Sequence, residues 1–347
     1  MSTFFFLLPF LVTYTVLVVY AERKIPAFMQ SRLGPMETGY YGLLQTVADL
    51  LKLLQKEDLR PAGATPLIFK IAPVVIFVAI FGGFSVLPLH PAWPGAPVSS
   101  GIFFLLAIIS LDVAGILMAG WSSRNKYSTL GAFRAAAQIV SYEIPLSLCL
   151  VAVVMHAGTL DLQIISAQQG IHAARPIHAF GIDLTQLGGV FAWNIVQMPW
   201  LMLVWIIFFI ASLAECNRAP FDLPEGESEL VAGYHTEYSG FRFAILMLGE
   251  YAMMLLVSML GAILFFGSWN SPLPNLGNWT LATWTTGPWW GISWLLMKTV
   301  LLVLLQIWVR WTFPRVRIDQ LTSISWKYLI PMSLLLIFLI GITKLLV

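Results

Sequence analysis

The chain contains little charge and almost no cysteine. Only 10% of its 347 residues are charged, and its two cysteines, Cys149 and Cys216, form no CxxC pattern. The cysteines therefore indicate neither an iron–sulfur cluster nor a zinc site, and no disulfide is expected. The outer loop at residues 158–190 has histidines and aspartates, but their spacing fits no metal-ligand pattern. A dinucleotide glycine fingerprint and a P-loop are also absent, which favours a chain without a redox cofactor of its own.

Apolar residues are abundant. They make up 59% of the chain, which includes 14 Trp and 23 Phe, and the mean hydropathy is +0.82. This composition predicts a polytopic membrane protein, an all-α helix bundle that forms a single membrane domain over residues 1–347. Eight apolar segments have spanning length, at about 4–21, 66–89, 101–121, 137–157, 191–213, 241–266, 290–310 and 326–346. No internal repeat is visible, which disfavours a common transporter architecture.

The distribution of basic residues predicts the orientation. The connectors after segments 1, 3, 5 and 7 contain most of them, namely Arg23, Lys24, Arg32, Lys52, Lys56, Arg60, Arg124, Lys126, Arg134, Arg218, Arg315 and Arg317. The opposite connectors and termini contain only Arg175 and Lys344. By the positive-inside rule both termini lie outside, and the loops 22–65, 122–136, 214–240 and 311–325 are cytoplasmic. Basic residues follow the first apolar segment instead of preceding it, so a cleaved signal peptide is not expected.

The first cytoplasmic loop is predicted to contain an amphipathic helix over residues 41–56. At 100° per residue its apolar side chains share one face, and they are Leu43, Leu44, Val47, Leu50, Leu51 and Leu54. Asp49, Lys52 and Lys56 lie on the opposite face. Such a helix lies along the bilayer surface or against other helices, and a plain interfacial anchor is an equal alternative.

Several charged residues fall inside the predicted spans. They are Asp112, Glu143, Glu250 and Lys298. Each costs roughly 2.5–3.5 kcal/mol to insert, so each should face other helices, water or a partner. Buried carboxyl groups can titrate near neutral pH and pass a proton, although pairing with Lys298 or Arg242 is a structural alternative. Pro145, two residues after Glu143, frees a helical carbonyl and favours water beside it.

The densest acidic stretch lies between two apolar segments, at residues 214–240. It contains Glu215, Asp222, Glu225, Glu227, Glu229 and Glu237. One interpretation is a capped cytoplasmic helix whose acids are solvated. The favoured interpretation is a group of acids that handles protons together with the intramembrane carboxylates.

Four blocks of motifs carry a resemblance to a known family. They are ERK at 22–24 with QSRLGP at 30–35 and GLLQ at 42–45; AGWSSRNKY at 119–127 with SYE at 141–143; AECNRAPFDLPEGESELVAG at 214–233 with GEY at 249–251; and FPRVRIDQL at 313–321. In these blocks the chain resembles the quinone-site membrane subunit of respiratory complex I, the family that contains the bacterial H-type subunit of NADH-quinone oxidoreductase and mitochondrial subunit 1. After Gly34-Pro35 it departs from the family pattern at Met36-Glu37-Thr38.

The resemblance implies a subunit of a proton-translocating NADH:quinone oxidoreductase. Its cytoplasmic loops would dock onto soluble redox subunits, and antiporter-like subunits would flank it in the membrane. A chamber between helices 1 and 6 and the amphipathic helix would admit ubiquinone or menaquinone. FMN and iron–sulfur clusters would belong only to partner subunits, and no nucleic acid is implied. A bacterial plasma membrane is expected, with an organelle inner membrane as the alternative.

The resemblance also assigns residues. The proton relay would consist of Glu215, Glu143, Glu250, Glu225, Glu227, Glu229 and Asp112. The quinone chamber or its interfaces would use Arg23, Arg32, Asp49, Phe28, Arg218, Asp222, Arg315 and Arg317. Two other functions stay open from sequence alone. One is the membrane anchor of a hydrogenase or ferredoxin-driven complex, and the other is a free-standing ion or solute transporter.

Overall fold

The computed structural model describes residues 2–93, 95–96, 98–171, 178–179, 182–183, 188–224, 226–275 and 280–346. Glu225 and much of the outer loop around residues 172–187 lie outside these ranges. The longer helices are α1 (Ser2–Met29), α2 (Gln45–Gln55), α3 (Pro66–Phe84), α4 (Gly101–Ile109), α5 (Leu111–Ser122) and α6 (Lys126–Ala157). They continue, with shorter ones between them, as α7 (Leu162–Ala167), α8 (Asn194–Gln197), α9 (Trp200–Glu215), α10 (Glu227–Leu230), α11 (Gly240–Phe265), α12 (Leu281–Trp284), α13 (Pro288–Thr312), α14 (Ile318–Ser323) and α15 (Ile330–Leu346).

The outer loop contains a minimal antiparallel ribbon. Strand β1 (His178–Ala179) pairs with β2 (Ile182–Asp183). Apart from this ribbon and an isolated bridge between His90 and Trp93, the described residues form helices and connectors.

The predicted all-α polytopic membrane bundle is confirmed. Among the described residues six helical segments are long and apolar enough to cross a membrane, at Pro66–Phe84, Gly101–Ser122, Lys126–Ala157, Gly240–Phe265, Pro288–Thr312 and Ile318–Leu346. The first predicted span corresponds to the 28-residue helix α1. The fifth corresponds to α9, whose 16 residues reach about 24 Å at 1.5 Å per residue. The two short turns before α9, at Gly189–Ala192 and α8, extend that segment outward.

Several predicted boundaries differ from the structure. Helix α6 begins at Lys126 instead of residue 137, so most of the predicted loop 122–136 is helical. The reason is local, because the side chain of Asn125 accepts a hydrogen bond from the Tyr127 backbone N–H at 2.9 Å and caps the helix. The third span is interrupted at Ser110, which places Asp112 in the first turn of α5. Helix α14 runs through a π-helical turn at Ile324–Leu329 into α15.

The amphipathic helix begins later than its sequence pattern predicts. It starts at Gln45 because Tyr41 and Gly42 adopt left-handed backbone conformations, with φ of +54° and +75°. A Cβ atom on Gly42 would lie 2.3 Å from the carbonyl oxygen of Pro35, so only glycine fits this turn. Its apolar side chains Val47, Leu51 and Leu54 are exposed in the chain alone, as the predicted surface helix requires.

The bundle is built around α6 and α11. Helix α6 packs against α5, α9 and α15, while α11 packs against α3, α9 and α13. The apolar window of α11 is 67% buried, the largest fraction among the six segments, so α11 is the most central of them. At the end where the 214–240 segment lies, α6 closely approaches the turn Gly233–His235. A Cβ atom on Gly131 would lie 2.7 Å from the Cα atom of Gly233. The glycine at position 131 therefore allows the turn to pack directly against α6.

Candidate functional site

Four acids that the sequence distributes over separate spans are brought together inside the bundle. Helices α5, α6, α9 and α11 supply Asp112, Glu143, Glu215 and Glu250 respectively. Asp112 is 7% exposed and Glu215 is 4% exposed. Coulomb interactions link Glu215 to Glu143 and Asp112, and link Asp112 to Glu250. The four carboxyl groups therefore form one electrostatically connected series, which we call the acid chain.

One end of the acid chain opens into a small apolar cavity. Both Glu143 and Glu215 line it, and its walls are formed by Leu105, Leu106, Ile109, Leu146, Met253, Val257 and Leu260. The Ser110 hydroxyl, at the interruption between α4 and α5, donates a hydrogen bond to Glu143. Oε2 of Glu215 is buried and has no hydrogen-bond partner among the described residues. A buried polar atom beside a cavity is a place where ordered water binds.

The other end of the acid chain is Glu250. The Tyr234 hydroxyl donates to its Oε1 at 3.1 Å, and His235 Nε2 lies 2.8 Å from the same oxygen. Tyr234 and His235 were not predicted from the sequence as site residues. Their signal was present, because a tyrosine and a histidine lie within the acidic stretch, between Glu229 and Glu237, and precede the helix that carries Glu250. Histidine is the side chain that changes charge near neutral pH, so this contact joins a titratable ring to the acid chain.

A second polar cluster is centred on Glu22, which is 8% exposed near the end of α1. Arg218 Nη1 lies 3.1 Å from Glu22 Oε1, and Arg310 of α13 also binds this oxygen. The Tyr251 hydroxyl donates to Glu22 Oε2 at 2.6 Å, and the Arg218 guanidinium lies 4.3 Å from the centre of the Tyr251 ring. We call these four residues the Glu22 cluster.

The Glu22 cluster keeps its charges in a buried setting. Burial of Arg218 favours the neutral guanidine, yet Glu22, Tyr251 and Glu250 together outweigh this effect and hold the pKa of Arg218 well above its usual range. Of these residues only Arg218 was predicted from the sequence as a site residue. Glu22 and Tyr251 appeared only as members of motifs, and Arg310 had no role assigned.

The other predicted site residues lie nearer the surface. Arg23 pairs with Asp49 at 2.6 Å, Arg315 pairs with Asp222 at 2.9 Å, and Arg134 pairs with Glu229 at 2.5 Å. Phe28, Arg32 and Arg317 are exposed in the chain alone. Glu227 begins the short helix α10, and Glu225 lies outside the described residues. The structure thus separates Glu229, which joins a surface ion pair, from the acid chain.

The exposed pair of Arg134 and Glu229 should contribute little to stability. Their side chains are 30% and 61% exposed, and exposed ion pairs are worth roughly 0–1 kcal/mol. A double-mutant cycle of Arg134→Ala and Glu229→Ala, measured by thermal unfolding of the detergent-solubilised complex, should give a coupling energy below about 1 kcal/mol. A coupling of several kcal/mol would mean that the pair is buried in the assembled protein.

Sequence comparisons extend over almost the whole chain. A sequence model of the NADH dehydrogenase family matches residues 1–341. The second H-type subunit of the NADH-quinone oxidoreductase of Cytophaga hutchinsonii is 55% identical over 353 residues, covering 97% of each chain. The H-type subunit of the NADH-quinone oxidoreductase of Chlorobaculum parvum is 51% identical over 324 residues, covering 93% of this chain and 86% of its own length. The protein of the same name from Chlorobaculum tepidum is 51% identical over 316 residues, covering 91% and 84%.

Proposed function

The chain belongs to the family of the H-type subunit of NADH-quinone oxidoreductase, and we propose that it couples quinone reduction to proton movement within that complex. It is a multi-pass membrane subunit of the enzyme. The coupling would run through the acid chain, and the Glu22 cluster would form part of the quinone chamber wall. The observation that carries this proposal is the convergence of four carboxyl groups from four helices into one electrostatically connected series.

The geometry of the acid chain supports a role in proton transfer. Taking isolated carboxylates out of water is expensive, and four of them would not be kept together merely for packing. The series begins beside His235 at Glu250 and ends at Glu143 beside the apolar cavity. A change of charge at the Glu250 end would alter the proton affinity of Asp112 through the Coulomb interaction between them, and then that of Glu215.

The location of the Glu22 cluster supports a role in quinone binding. It lies where α1, α11 and α13 meet, which are neighbouring helices in the bundle. The amphipathic helix α2 is tied to α1 by the contact of Arg23 with Asp49 and also packs against α11. A quinone headgroup has two carbonyl oxygens that accept hydrogen bonds, and arginine and tyrosine side chains donate them. Ubiquinone and menaquinone both fit this donor set.

The partners and the membrane follow from family membership as proposals. We propose that the loops 22–65, 122–136, 214–240 and 311–325 face soluble subunits that hold FMN and the iron–sulfur clusters. Antiporter-like membrane subunits would receive protons from the Glu143 end of the acid chain. The bacterial relatives favour a bacterial plasma membrane, with both termini on the outer side. The names of these relatives favour a quinone-reducing complex over a hydrogenase anchor or a free-standing transporter.

The quinone site is tested by Tyr251→Phe, which removes only the hydroxyl that donates to Glu22. A hydrogen bond to a charged group is worth roughly 1.5–3 kcal/mol within the protein, and its loss would free the side chains of the proposed chamber wall. The KM for quinone should therefore rise. Electron transfer from NADH to a water-soluble acceptor should not change, because that reaction bypasses the membrane chamber.

The matched control is Tyr328→Phe, since Tyr328 is exposed and belongs neither to the cluster nor to the loops proposed to face soluble subunits. It should keep the wild-type KM. A photoreactive quinone should also label α1 or α11 in the assembled complex, and excess unlabelled quinone should suppress the labelling. An unchanged KM in Tyr251→Phe, combined with labelling that quinone does not compete away, would contradict the proposed chamber.

A further inference from the structure

Helices α11 and α13 pack antiparallel in a register that three contacts define. At one end the Lys298 ammonium donates to the carbonyl oxygen of Ser268, just beyond α11, at 2.9 Å. In the middle, a Cβ atom on Gly261 would lie 3.5 Å from Leu302 Cδ1. At the other end Tyr251 and Arg310 bind the same carboxylate, that of Glu22.

This register places Ser258 of α11 opposite Gln306 of α13. Ser258 is one turn from Gly261, and Gln306 is one turn from Leu302 in the matching direction. Both residues are only 2% exposed. Ser258 Oγ and Gln306 Oε1 have no hydrogen-bond partner within the described part of the chain. Buried polar atoms of this kind are normally satisfied by ordered water, so the interface between the two helices is suited to hold water.

Further polar residues lie on both sides of this point, and the apolar contact of Leu302 with Gly261 lies between it and Lys298. Gln306 and Arg310 are four residues apart and share a face of α13, so the interface leads towards the Glu22 cluster. In the other direction it leads to Lys298, two turns beyond Gln306 on the same face, and to Ser268, whose hydroxyl is buried without a partner among the described residues. We call this line of residues, Arg310, Gln306, Ser258, Ser268 and Lys298, the polar seam.

Lys298 terminates the seam with a buried positive charge. Its side chain is 5% exposed, and its ammonium donates to the carbonyl oxygens of Ser268 and Asn270 at 2.9 and 2.7 Å. The ammonium also lies 4.9 Å from the centre of the Trp193 ring. These partners are neutral, so within the described residues no carboxylate cancels the charge of Lys298. The carbonyl oxygens and the aromatic face both favour the protonated ammonium over the neutral amine.

Neutral amides complete the surroundings of Lys298. Gln169 donates to the carbonyl oxygen of Ile263 at 2.8 Å, and Asn194 donates to that of Leu264 at 2.7 Å. Gln169 also accepts from the backbone N–H of Gly267 at 3.0 Å. The end of α11 is therefore tied down by hydrogen bonds that do not involve Lys298. A lysine is not needed for this capping, so its charge requires a separate explanation.

We propose that the polar seam is a hydrated half-channel that opens towards the Glu22 cluster and is closed at its outer end by the charge of Lys298. When Lys298 is protonated, it places a cation in a narrow, weakly polar passage. This cation repels protons and metal cations, because Coulomb repulsion is strong where the dielectric constant is low. Water can then support the charges of the Glu22 cluster without giving protons a route across the membrane. This role is independent of the acid chain and requires only that the helices span the membrane.

The proposal predicts a proton leak when the charge is removed. The intact complex would be reconstituted into vesicles that contain a pH-sensitive dye, and the decay of an imposed pH gradient would be followed without substrate. Lys298→Met and Lys298→Gln should both speed the decay about tenfold or more, the change that about 1.4 kcal/mol of barrier produces. In Lys298→Arg the pH gradient should decay at the wild-type rate. NADH-to-quinone electron transfer should continue in all three variants.

The three variants distinguish a role for the charge of Lys298 from a role in capping the carbonyl groups of Ser268 and Asn270. Glutamine is neutral but can still donate to the carbonyls that Lys298 binds, whereas methionine cannot. Suppose that the pH gradient decayed at the wild-type rate in Lys298→Gln and faster only in Lys298→Met. Lys298 would then act as a structural cap, and the proposal would be overturned. Wild-type decay in both neutral variants would overturn it as well.

A second substitution tests whether protons pass through the seam. In the Lys298→Gln background, Gln306→Leu replaces the buried amide by an apolar side chain of similar size and should return the decay to within about twofold of the wild type. As a matched control, Leu302→Ile in the same background alters the neighbouring turn of α13 without changing polarity and should leave the leak in place. A leak that Gln306→Leu does not suppress would mean that protons cross elsewhere, which would overturn the half-channel.

Discussion

Glu215→Gln is expected to lower quinone-dependent NADH oxidation and its coupled proton pumping by roughly 10²-fold, the scale of a lost proton-transfer group. Glutamine has nearly the shape of glutamate but cannot take up or release a proton. Glu215 Oε2 has no hydrogen-bond partner among the described residues, so the substitution breaks no contact that the structure records at that atom. The complex should therefore still assemble. Activity and pumping would be measured in membrane vesicles, with subunit content checked by immunoblot.

The controls distinguish a loss of proton transfer through the proposed relay from general damage to the enzyme. Glu143→Gln should behave like Glu215→Gln, because both acids line the same cavity. Glu37→Gln should keep wild-type rates, since Glu37 is exposed in the first loop. NADH oxidation with a water-soluble acceptor should be unchanged in all three variants. Wild-type oxidation and pumping in both Glu215→Gln and Glu143→Gln would contradict the relay.

The fold could be predicted because membrane helices are encoded locally. A run of about 20 apolar residues is sufficient to predict a span, and all six of the long apolar segments had been predicted from such runs. Helix ends were less predictable because they depend on individual side chains. The cap at Asn125 starts α6 eleven residues before the predicted span, and left-handed residues at Tyr41 and Gly42 delay α2.

The candidate site could be predicted only where the sequence alone makes a residue unusual. Asp112, Glu143 and Glu250 are conspicuous because each interrupts an apolar run. Glu22 is not conspicuous, because it precedes two basic residues at the end of a span and looks like an ordinary interfacial charge. Its partner Arg310 is 288 residues away along the chain. Such a contact exists only after α1 and α13 pack together, and no local pattern encodes it.

The two polar clusters have different charge balance, and this difference separates their roles. In the Glu22 cluster two guanidinium groups surround one carboxylate, which favours ionised side chains and a fixed arrangement. The acid chain contains four carboxyl groups that repel one another when ionised, which favours sharing and release of protons. A fixed positively charged wall suits the recognition of a polar headgroup, and a group of coupled acids suits the transfer of protons away from it.

Removing the carboxylate of Glu22 is expected to have the largest effect on stability. In Glu22→Gln the buried Arg218 and its neighbour Arg310 would lose their shared anion. Glu22 and Arg218 have side chains only 9% and 8% exposed, and breaking a buried pair of this kind costs roughly 3–5 kcal/mol. The amount of assembled complex and its thermal unfolding temperature should both fall clearly. Asp49→Asn is the matched control, because Asp49 is 28% exposed and should cost much less.

A double variant distinguishes a lost ion pair from lost packing. If the penalty in Glu22→Gln arises from an uncompensated Arg218 charge, adding Arg218→Met should recover part of the stability, since replacing both partners of a buried pair by uncharged side chains is less costly than breaking it. Quinone reduction should remain impaired in the double variant, because the chamber wall would lack both groups. If instead the double variant were less stable than the wild type by the sum of the two single penalties, the two side chains would act independently. The Glu22 cluster would then not be a coupled unit.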